Sequence, residues 1–305
     1  MMRYKVIINP VAGRGIAKRA IPKVQQTLKN YGLNFDAVLT ERPWHAAELA
    51  MEAANAGYDI VVAMGGDGTV NEVLNGLMEA RAKNNRSPAL GVLCAGGGND
   101  FAYGIGIPRD LKSGCALLAH GQKRTIDIGK ITSDSFPRPR YFGNGIGIGF
   151  DAVVNFEALK MKKLHGFLSY AAAAFKVLFL YHQAPTVRIE YNGKIIIQPS
   201  LMISVMNGQR MGGGFKMAPN AKPDDGQLDL CIAGSANRAR VLSLIFHFLR
   251  GTQIGKKPIK TDLAPYIKVT AEKDALPAQV DGEAFSMENH LLDIKLLPGE
   301  LEVIC

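Results

Sequence analysis

The chain predicts a two-part α/β protein: an N-terminal parallel sheet covered by helices, followed by a C-terminal, mostly antiparallel β-sandwich. Three observations carry this. Strand-like apolar runs alternate with amphipathic helical runs up to about residue 124, the pattern of a parallel sheet with crossover helices. From "TIDIGKI" onward the texture changes to short β-like pieces separated by turns. Within these, "YNG" between two β-like runs reads as a hairpin. The expected division is 1–124 and 125–305, with the last strand free to return to the first part.

Taken in order, "YKVIIN" is a short buried strand. "IAKRAIPKVQQTLKNYG" places Ala20, Val24, Leu28 and Tyr31 on one helical face and stops at Gly32. "LNFDAVLT" alternates Leu33, Phe35, Ala37 and Leu39 as a half-buried strand. "PWHAAELAMEAANAG" is helical, "YDIVVAM" is strand and "VNEVLNGLMEARA" is helix. "ALGVLCA" and "LKSGCALLAHG" repeat the unit. The second part runs through "RYFGNGIGIGF", "SLMISVMNG", "QLDLCIA", "YIKVTAE", "PAQVDGEAF", "LLDIKLLPG" and "ELEVIC", which suit a sandwich. Two helical inserts, about 156–181 and 236–250, interrupt them.

Bulk properties narrow the function classes. The 305 residues are 47% hydrophobic and 21% charged, with four scattered cysteines and no metal-ligand spacing, as expected of a reduced cytoplasmic protein. His45, His165 and His247 have no metal-ligand partners in sequence. No run reaches the ~20 apolar residues of a membrane span. The net charge is +9, which favours anionic partners. Its clusters, Lys160, Lys162 and Lys163 and then Arg238, Arg240, Arg250, Lys256, Lys257 and Lys260, adjoin apolar helical sequence. That pairing suits a membrane surface, with peripheral attachment to its inner face, better than nucleic acid, for which no motif is present. A homo-oligomer stays open.

The chemistry concentrates in the loops after the first strands. "GGDGT" (Gly65–Thr69) interrupts a hydrophobic strand and leads into a helix. Thr69 and Glu72 fit a T-x-x-E capping box, and Val70, Val73, Leu74, Leu77 and Met78 then form one helical stripe. Glycines at a helix start expose main-chain N–H groups to an anion. Asp67 would repel phosphate unless a metal intervenes, which points to a magnesium–nucleotide complex. "CAGGGNDFA" supplies a second glycine loop with Asn99 and Asp100. "NPVAGRG" supplies a third, where Pro10 and Gly13 shape the turn and Arg14 can meet a phosphate. Each alone is also an ordinary turn; three at the ends of strands of one sheet make a ligand crevice. "GNGIGIGF" lacks the third glycine of a dinucleotide fingerprint, so its bare strand face is assigned to packing.

At this point the sequence resembles the diacylglycerol-kinase catalytic family of lipid kinases, which includes bacterial diacylglycerol kinases and sphingosine and ceramide kinases. "NPVAGRG", "GGDGTVNEV" and "GGGNDFA" carry the resemblance, with "GIGFDAVV", "NGQRMGGGFKMAPNAKPDDGQLDL" and "VDGEAF" extending it over nearly the whole chain. It implies an NAD-kinase/diacylglycerol-kinase-like fold and ATP- and magnesium-dependent phosphorylation of a lipid hydroxyl. Gly65, Gly66, Asp67, Gly68 and Thr69 would form the phosphate loop. Asn9, Pro10, Gly13, Arg14, Thr40, Asn71, Glu72, Gly97 and Asn99 would complete the nucleotide site. Gly97 stands where relatives carry Thr, Ser or Arg, so a contact made by that side chain is missing here. Asp281 is the first choice for the base and Glu283 the second, both expected on one strand face, with a "DG" turn as the plain alternative. Asp67 is the third catalytic candidate, with metal or water-network work. Asp225, with the carbonyls of Lys222 and Gln227, would hold a separate structural cation, against the alternative of an acidic turn. "RVLSLIFHFLRG" and "GFLSYAAAAFKVLFLY" are the candidates for lining a lipid groove or touching the bilayer; core helices are the alternative. An NAD kinase, or an inactive nucleotide-regulated membrane-binding protein, is the competing function.

Overall fold

The computed structural model describes residues 1–136, 138–161, 167–180, 184–271 and 273–305. Lys162, Lys163 and His165, and the two ends of "GFLSYAAAAFKVLFLY", lie outside these residues. The chain divides into two compact units, Met1–Ile128 with Pro298–Cys305, and Gly129–Leu297.

The first unit alternates β1 (Arg3–Ile8), α1 (Ala12–Asn30), β2 (Asn34–Leu39), α2 (His45–Asn55), β3 (Ile60–Gly65), α3 (Asp67–Asn84) and β4 (Ala89–Cys94). The short α4 (Asp100–Gly104), α5 (Leu111–His120) and the start of β5 (Lys123–Ser133) follow. The strands pair in parallel in the order β2-β1-β3-β4. β3 and β4 are buried along their whole length, which is why they read as continuous apolar runs instead of alternating ones. β2 is the edge: Leu33 and Phe35 are half-buried, but Ala37 and Leu39, expected on the same inner face, are exposed. On α3 the stripe Val70, Val73, Leu74, Leu77 and Met78 is buried as the periodicity requires. Gly76 lets α2 approach closely, since a Cβ there would lie 2.1 Å from the Ala47 carbonyl oxygen. The last residues of the chain join this unit. Val303 pairs in parallel with Leu90, Gln122 and Cys305 exchange main-chain hydrogen bonds of 3.0 Å, and the Gly299 amide donates to Asp127 Oδ1 at 2.8 Å.

The second unit continues β5 and adds β6 (Arg140–Phe142), β7 (Gly145–Gly149), α6 (Phe150–Lys160), α7 (Phe167–Leu180), β8 (Thr186–Tyr191), β9 (Lys194–Met206) and β10 (Leu228–Gly234). Then come α8 (Arg238–Arg250), β11 (Ile259–Ala264), β12 (Tyr266–Ala271), β13 (Leu276–Val280), β14 (Glu283–Asn289) and β15 (Leu291–Ile304). All pairings of β7 to β14 are antiparallel. β9 serves two sheets: residues 194–199 pair with β8, and residues 200–206 with β7 and β10. Pro199 sits at the changeover, a position where a strand can turn a corner and a missing N–H costs no ladder bond. The sandwich core is aliphatic, with Ile146, Ile148, Ile189, Val205, Leu230 and Ile294 all within 1% exposure. A second core packs α6, α7 and α8 on the outer side of β9 and β10. The first helical insert begins earlier than expected, at Phe150, directly after the glycine strand.

The glycine face of β7 is filled by side chains. A Cβ on Gly145 would meet Met206 Sδ at 2.5 Å, and one on Gly147 would meet Asp151 Oδ2 at 1.9 Å. The packing expectation for "GNGIGIGF" therefore holds.

Candidate active site

In the first unit, three loops converge at the carboxyl ends of β1, β3 and β4. The β1 loop turns sharply through Gly13, Arg14 and Gly15, all at positive φ (56°, 57° and 79°), which is what glycine permits and arginine tolerates poorly. A Cβ on Gly13 would lie 2.1 Å from the Ala95 carbonyl oxygen, so this loop rests main chain to main chain on the β4 loop. The β3 and β4 loops touch in the same way: a Cβ on Gly96 would lie 2.3 Å from Gly66 Cα. Three backbones this close leave no room for side chains between them, and glycine loops at strand ends beside a helix start are the setting in which main chain can approach a phosphate.

Side-chain hydrogen bonds lock the arrangement. Asn9 Nδ2 donates to Thr69 Oγ1 (3.0 Å) and Asn9 Oδ1 accepts from the Val11 amide (3.2 Å). Asn99, in the left-handed region at φ 54°, donates to the Gly96 carbonyl (3.0 Å). Exposed Gly97 accepts from the Arg109 guanidinium (3.0 Å) through its carbonyl. Pro10 opens the first loop, Arg14 is exposed on it, Gly65 closes β3 and Gly68 lies in the first turn of α3. The Thr40 amide extends the β2 pairing by donating to Ile8 (2.9 Å). Thr40 therefore stands with the loops at the same sheet end and does not cap α2, which starts at His45.

Two expectations here need correction. Thr69 is not the N-cap of α3: the cap position is Gly66, and the Thr69 hydroxyl serves Asn9 instead. Glu72 closes no capping box, because its Oε2 accepts from the Ala46 amide (3.1 Å) at the start of α2, a helix whose own cap residue offers no side-chain bond. Asn71 is 1% exposed and its carbonyl and Oδ1 accept from Asn75 one turn on. Glu72 thus commits one carboxylate oxygen to α2, and Asn71 is enclosed along its own helix.

The sequence reading left out Asp100 as a site residue, and the structure brings it to Asp67. Asp67 Oδ1 accepts from the Phe101 amide (3.2 Å) at the head of α4, and a Cβ on Gly98 would lie within 4 Å of both carboxylates. Burial first, then the Asp100 charge, push the Asp67 carboxyl up to about 7, against the pull of the Phe101, Asp100 and Asn99 amides. Two acids held this close repel unless a proton or cation sits with them. A divalent ion carried by a nucleotide fits this donor pair. The signal available in sequence was the "ND" that ends the second glycine loop.

In the second unit, "VDGE" folds as a two-residue hairpin turn. Val280 pairs with Glu283, and Asp281 and Gly282 both have positive φ (50° and 83°), the conformation such turns require. The two carboxylates therefore do not share a strand face. Asp281 is 7% exposed and receives three amides: Gly143 N on Oδ2 (2.9 Å), and Asn144 N (3.0 Å) and Gly145 N (2.8 Å) on Oδ1. These bonds engage both carboxylate oxygens, and through them Asp281 pins the "GNG" loop to the hairpin. Glu283, exposed at the head of β14, is the carboxylate on this turn that faces solvent. Asn155 on α6 supports the turn from behind, donating to the Gly282 carbonyl (2.7 Å) and to the Tyr170 hydroxyl.

Beside the turn lies a cavity of about 50 Å³ lined by Phe150, Val154, Tyr170, Met202, Met211 and Phe248 among others. An acyl chain would need these flexible side chains to move. Asp151 is its one acid, bonded by Gln279 Nε2 (3.3 Å), and burial pushes its carboxyl up to about 6. Sequence reading did not single it out.

Asp225 is exposed, and its Oδ1 accepts from the Gln227 amide (3.1 Å); Lys222 is exposed on the same segment. Burial and then the Asp225 charge raise Asp229 to about 6, and both acids border a cleft of about 410 Å³ with Asp262. Among the described residues no three acids, histidines or cysteines stand close enough to hold a metal by side chains alone. A cation beside Asp225 would need main-chain carbonyls and water, which suits magnesium or calcium.

A parallel sheet whose strand ends carry glycine loops beside a carboxylate pair, followed by a β-sandwich, is an arrangement suited to holding a phosphorylated ligand. Residues 3–131 match the diacylglycerol kinase catalytic domain, and residues 144–305 match the YegS C-terminal NAD kinase beta sandwich-like domain. The diacylglycerol kinase of Bacillus subtilis is 33% identical over 303 residues, 98% of this chain and 93% of that protein. That of Staphylococcus saprophyticus is 33% identical over 282 residues, covering 92% and 88%. The chain belongs to the diacylglycerol kinase family. Solved structures agree on the fold. A diacylglycerol kinase from Bacillus anthracis superposes with a TM-score of 0.73 at 23% identity, covering 99% of this chain and 96% of that one. A yeast NADH kinase superposes at 0.54 with 9% identity, covering 99% and 82%.

Proposed function

We propose that this kinase transfers the terminal phosphoryl group of ATP to the hydroxyl of diacylglycerol or a closely related lipid. The observation that carries the reading is the main-chain contact of the three glycine loops around Asp67 and Asp100, within a chain of the diacylglycerol kinase family. Such loops bind phosphate through oriented amides and position it for in-line attack. Asn9 and Thr69 hold the first and second loops in register, Asn99 holds the third, and Arg14 adds the cationic side chain. Asp67 and Asp100 are the ligands for the magnesium that accompanies ATP, and that ion, when bound, neutralises charge on the phosphates. Glu283 takes the proton of the attacking hydroxyl. Asp281 positions the turn that carries Glu283. Asp225, with the carbonyls of Lys222 and Gln227, holds a second cation that orders its own segment.

The test offers the protein labelled ATP, magnesium and a panel of acceptors: diacylglycerol, phosphatidylglycerol and a sphingoid base in mixed micelles, and NAD in solution. Products are identified by mass. Phosphatidic acid from diacylglycerol is the expected product. Phosphorylated NAD with no phosphorylated lipid would replace this reading with an NAD kinase, whose fold the second unit shares.

A further inference from the structure

The outer faces of α7 and α8 carry apolar surface that neither core uses. On α7, Leu168, Phe175 and Phe179 fall on one stripe and are 63%, 55% and 53% exposed. The opposite side of the same helix, Ala173, Ala174, Val177 and Leu178, is buried in the helical core. On α8, Phe246 is 56% exposed beside a shallow groove of about 500 Å³ that includes Leu242 and Arg250, while Val241, Leu244 and Phe248 face inward. The two helices pack against each other. Arg238, at the start of α8, lies 5.7 Å above the Phe179 ring and donates to the Phe179 carbonyl (3.4 Å). Arg238 and Phe179, both exposed, therefore join the start of α8 to the end of α7 at this surface.

The charged side chains of these two helices have one sign. α7 and α8 hold Lys176, Arg238, Arg240 and Arg250 and no aspartate or glutamate. Among the described residues Glu157 on α6 pairs with Lys176 of α7 and with Lys160 of its own helix. Bulky apolar groups exposed together on a folded protein mark a surface that something covers. A second copy of this chain would set this cationic face against itself, because a two-fold interface repeats the same patch on both sides. A bilayer with anionic headgroups complements both features at once, taking the rings into the acyl boundary and the guanidinium groups onto phosphates.

We infer that the joined outer faces of α7 and α8, centred on Phe175, Phe179 and Phe246 with Arg238 and Arg250, form a docking surface for an anionic lipid bilayer. It deepens the lipid-kinase reading by giving the enzyme a way to reach substrate in a membrane, and the vesicle-binding arm of its test does not depend on phosphoryl transfer. The full chain is co-sedimented with large vesicles of phosphatidylcholine, with and without phosphatidylglycerol. Three variants accompany it: Phe175→Ser/Phe179→Ser/Phe246→Ser, Arg238→Glu/Arg250→Glu, and the charge-matched Lys18→Glu/Lys23→Glu on exposed positions of α1. The parent and the α1 variant should bind anionic vesicles alike. The aromatic and arginine variants should lose roughly tenfold or more in partitioning while melting at the parent's temperature. On a short-chain diacylglycerol dissolved as monomer, all four proteins should turn over equally. Three outcomes overturn the inference: equal vesicle binding by every variant, a parent dimer that the aromatic substitutions dissociate, or equal loss of turnover on the monomeric lipid, which would make this face part of the substrate site.

Discussion

Asp281 and Glu283 make opposite demands on experiment, and the structure separates them. In Asp281→Asn the left-handed backbone at φ 50° is kept, since asparagine tolerates it. What changes is the set of acceptors. One carboxylate oxygen becomes an NH₂ group facing either the Gly143 amide or the amides of Asn144 and Gly145. Hydrogen bonds to a charged group contribute about 1.5–3 kcal/mol each, and a buried donor without a partner costs about 1–3 kcal/mol. One lost bond and weakening of the rest give about 3–5 kcal/mol. For a domain of ~150–250 residues, with ~2–4 °C per kcal/mol, the second unit should melt roughly 10 °C lower. Glu283→Gln, on an exposed position, should leave the melting temperature nearly unchanged but lower kcat on lipid by ~10²-fold or more, the usual worth of a general base. Calorimetry and a labelled-ATP assay on the same preparations read both. If Asp281→Asn melted with the parent and lost turnover as deeply as Glu283→Gln, the structural role given to Asp281 would be wrong.

Gly96→Ala puts a methyl group 2.3 Å from Gly66 Cα, a main-chain contact that cannot give way, so ATP binding measured by calorimetry should fall at least tenfold. Glu72→Ala removes the acceptor for the Ala46 amide and should cost about 1 kcal/mol in urea unfolding, with KM for ATP unmoved; a large rise in KM would restore Glu72 to the nucleotide site. For Asp151, whose folded carboxyl stands at about 6 against an ordinary 3.8, ionisation opposes folding. Stability is therefore full below about pH 4 and declines as pH rises towards 6. At ~1.36 kcal/mol per pKa unit the ceiling is about 3 kcal/mol, reduced by solvent at this partly exposed residue. Asp151→Asn should be roughly 1–3 kcal/mol more stable than the parent at pH 7 and equal to it near pH 4, as urea titrations at the two pH values would show.

What could be read from the chain alone was whatever depends on a residue and its near neighbours. The buried strands β3 and β4, the stripe on α3 and the glycine turns at Gly13, Gly66 and Gly96 follow from local backbone freedom and periodicity, which a one-dimensional pattern records; the hairpin at Asp281–Gly282 stands there only as the alternative to a shared strand face, since "DG" is compatible with both. Partners distant in sequence were not legible. Asp281 finds its amides 136 to 138 residues away, Glu72 caps a helix 26 residues upstream, and Asn9 bonds Thr69 across 60 residues. The motif showed that acids were present at "VDGE" and "GNDF" but not which would be enclosed by amides, which would face water, or which would press against a second acid. Burial and hydrogen-bond saturation decide what a carboxylate can do, and both are properties of packing. The same holds for α7 and α8: their composition marked them as apolar, yet only the folded helices show one side spent on the core and the other turned outward.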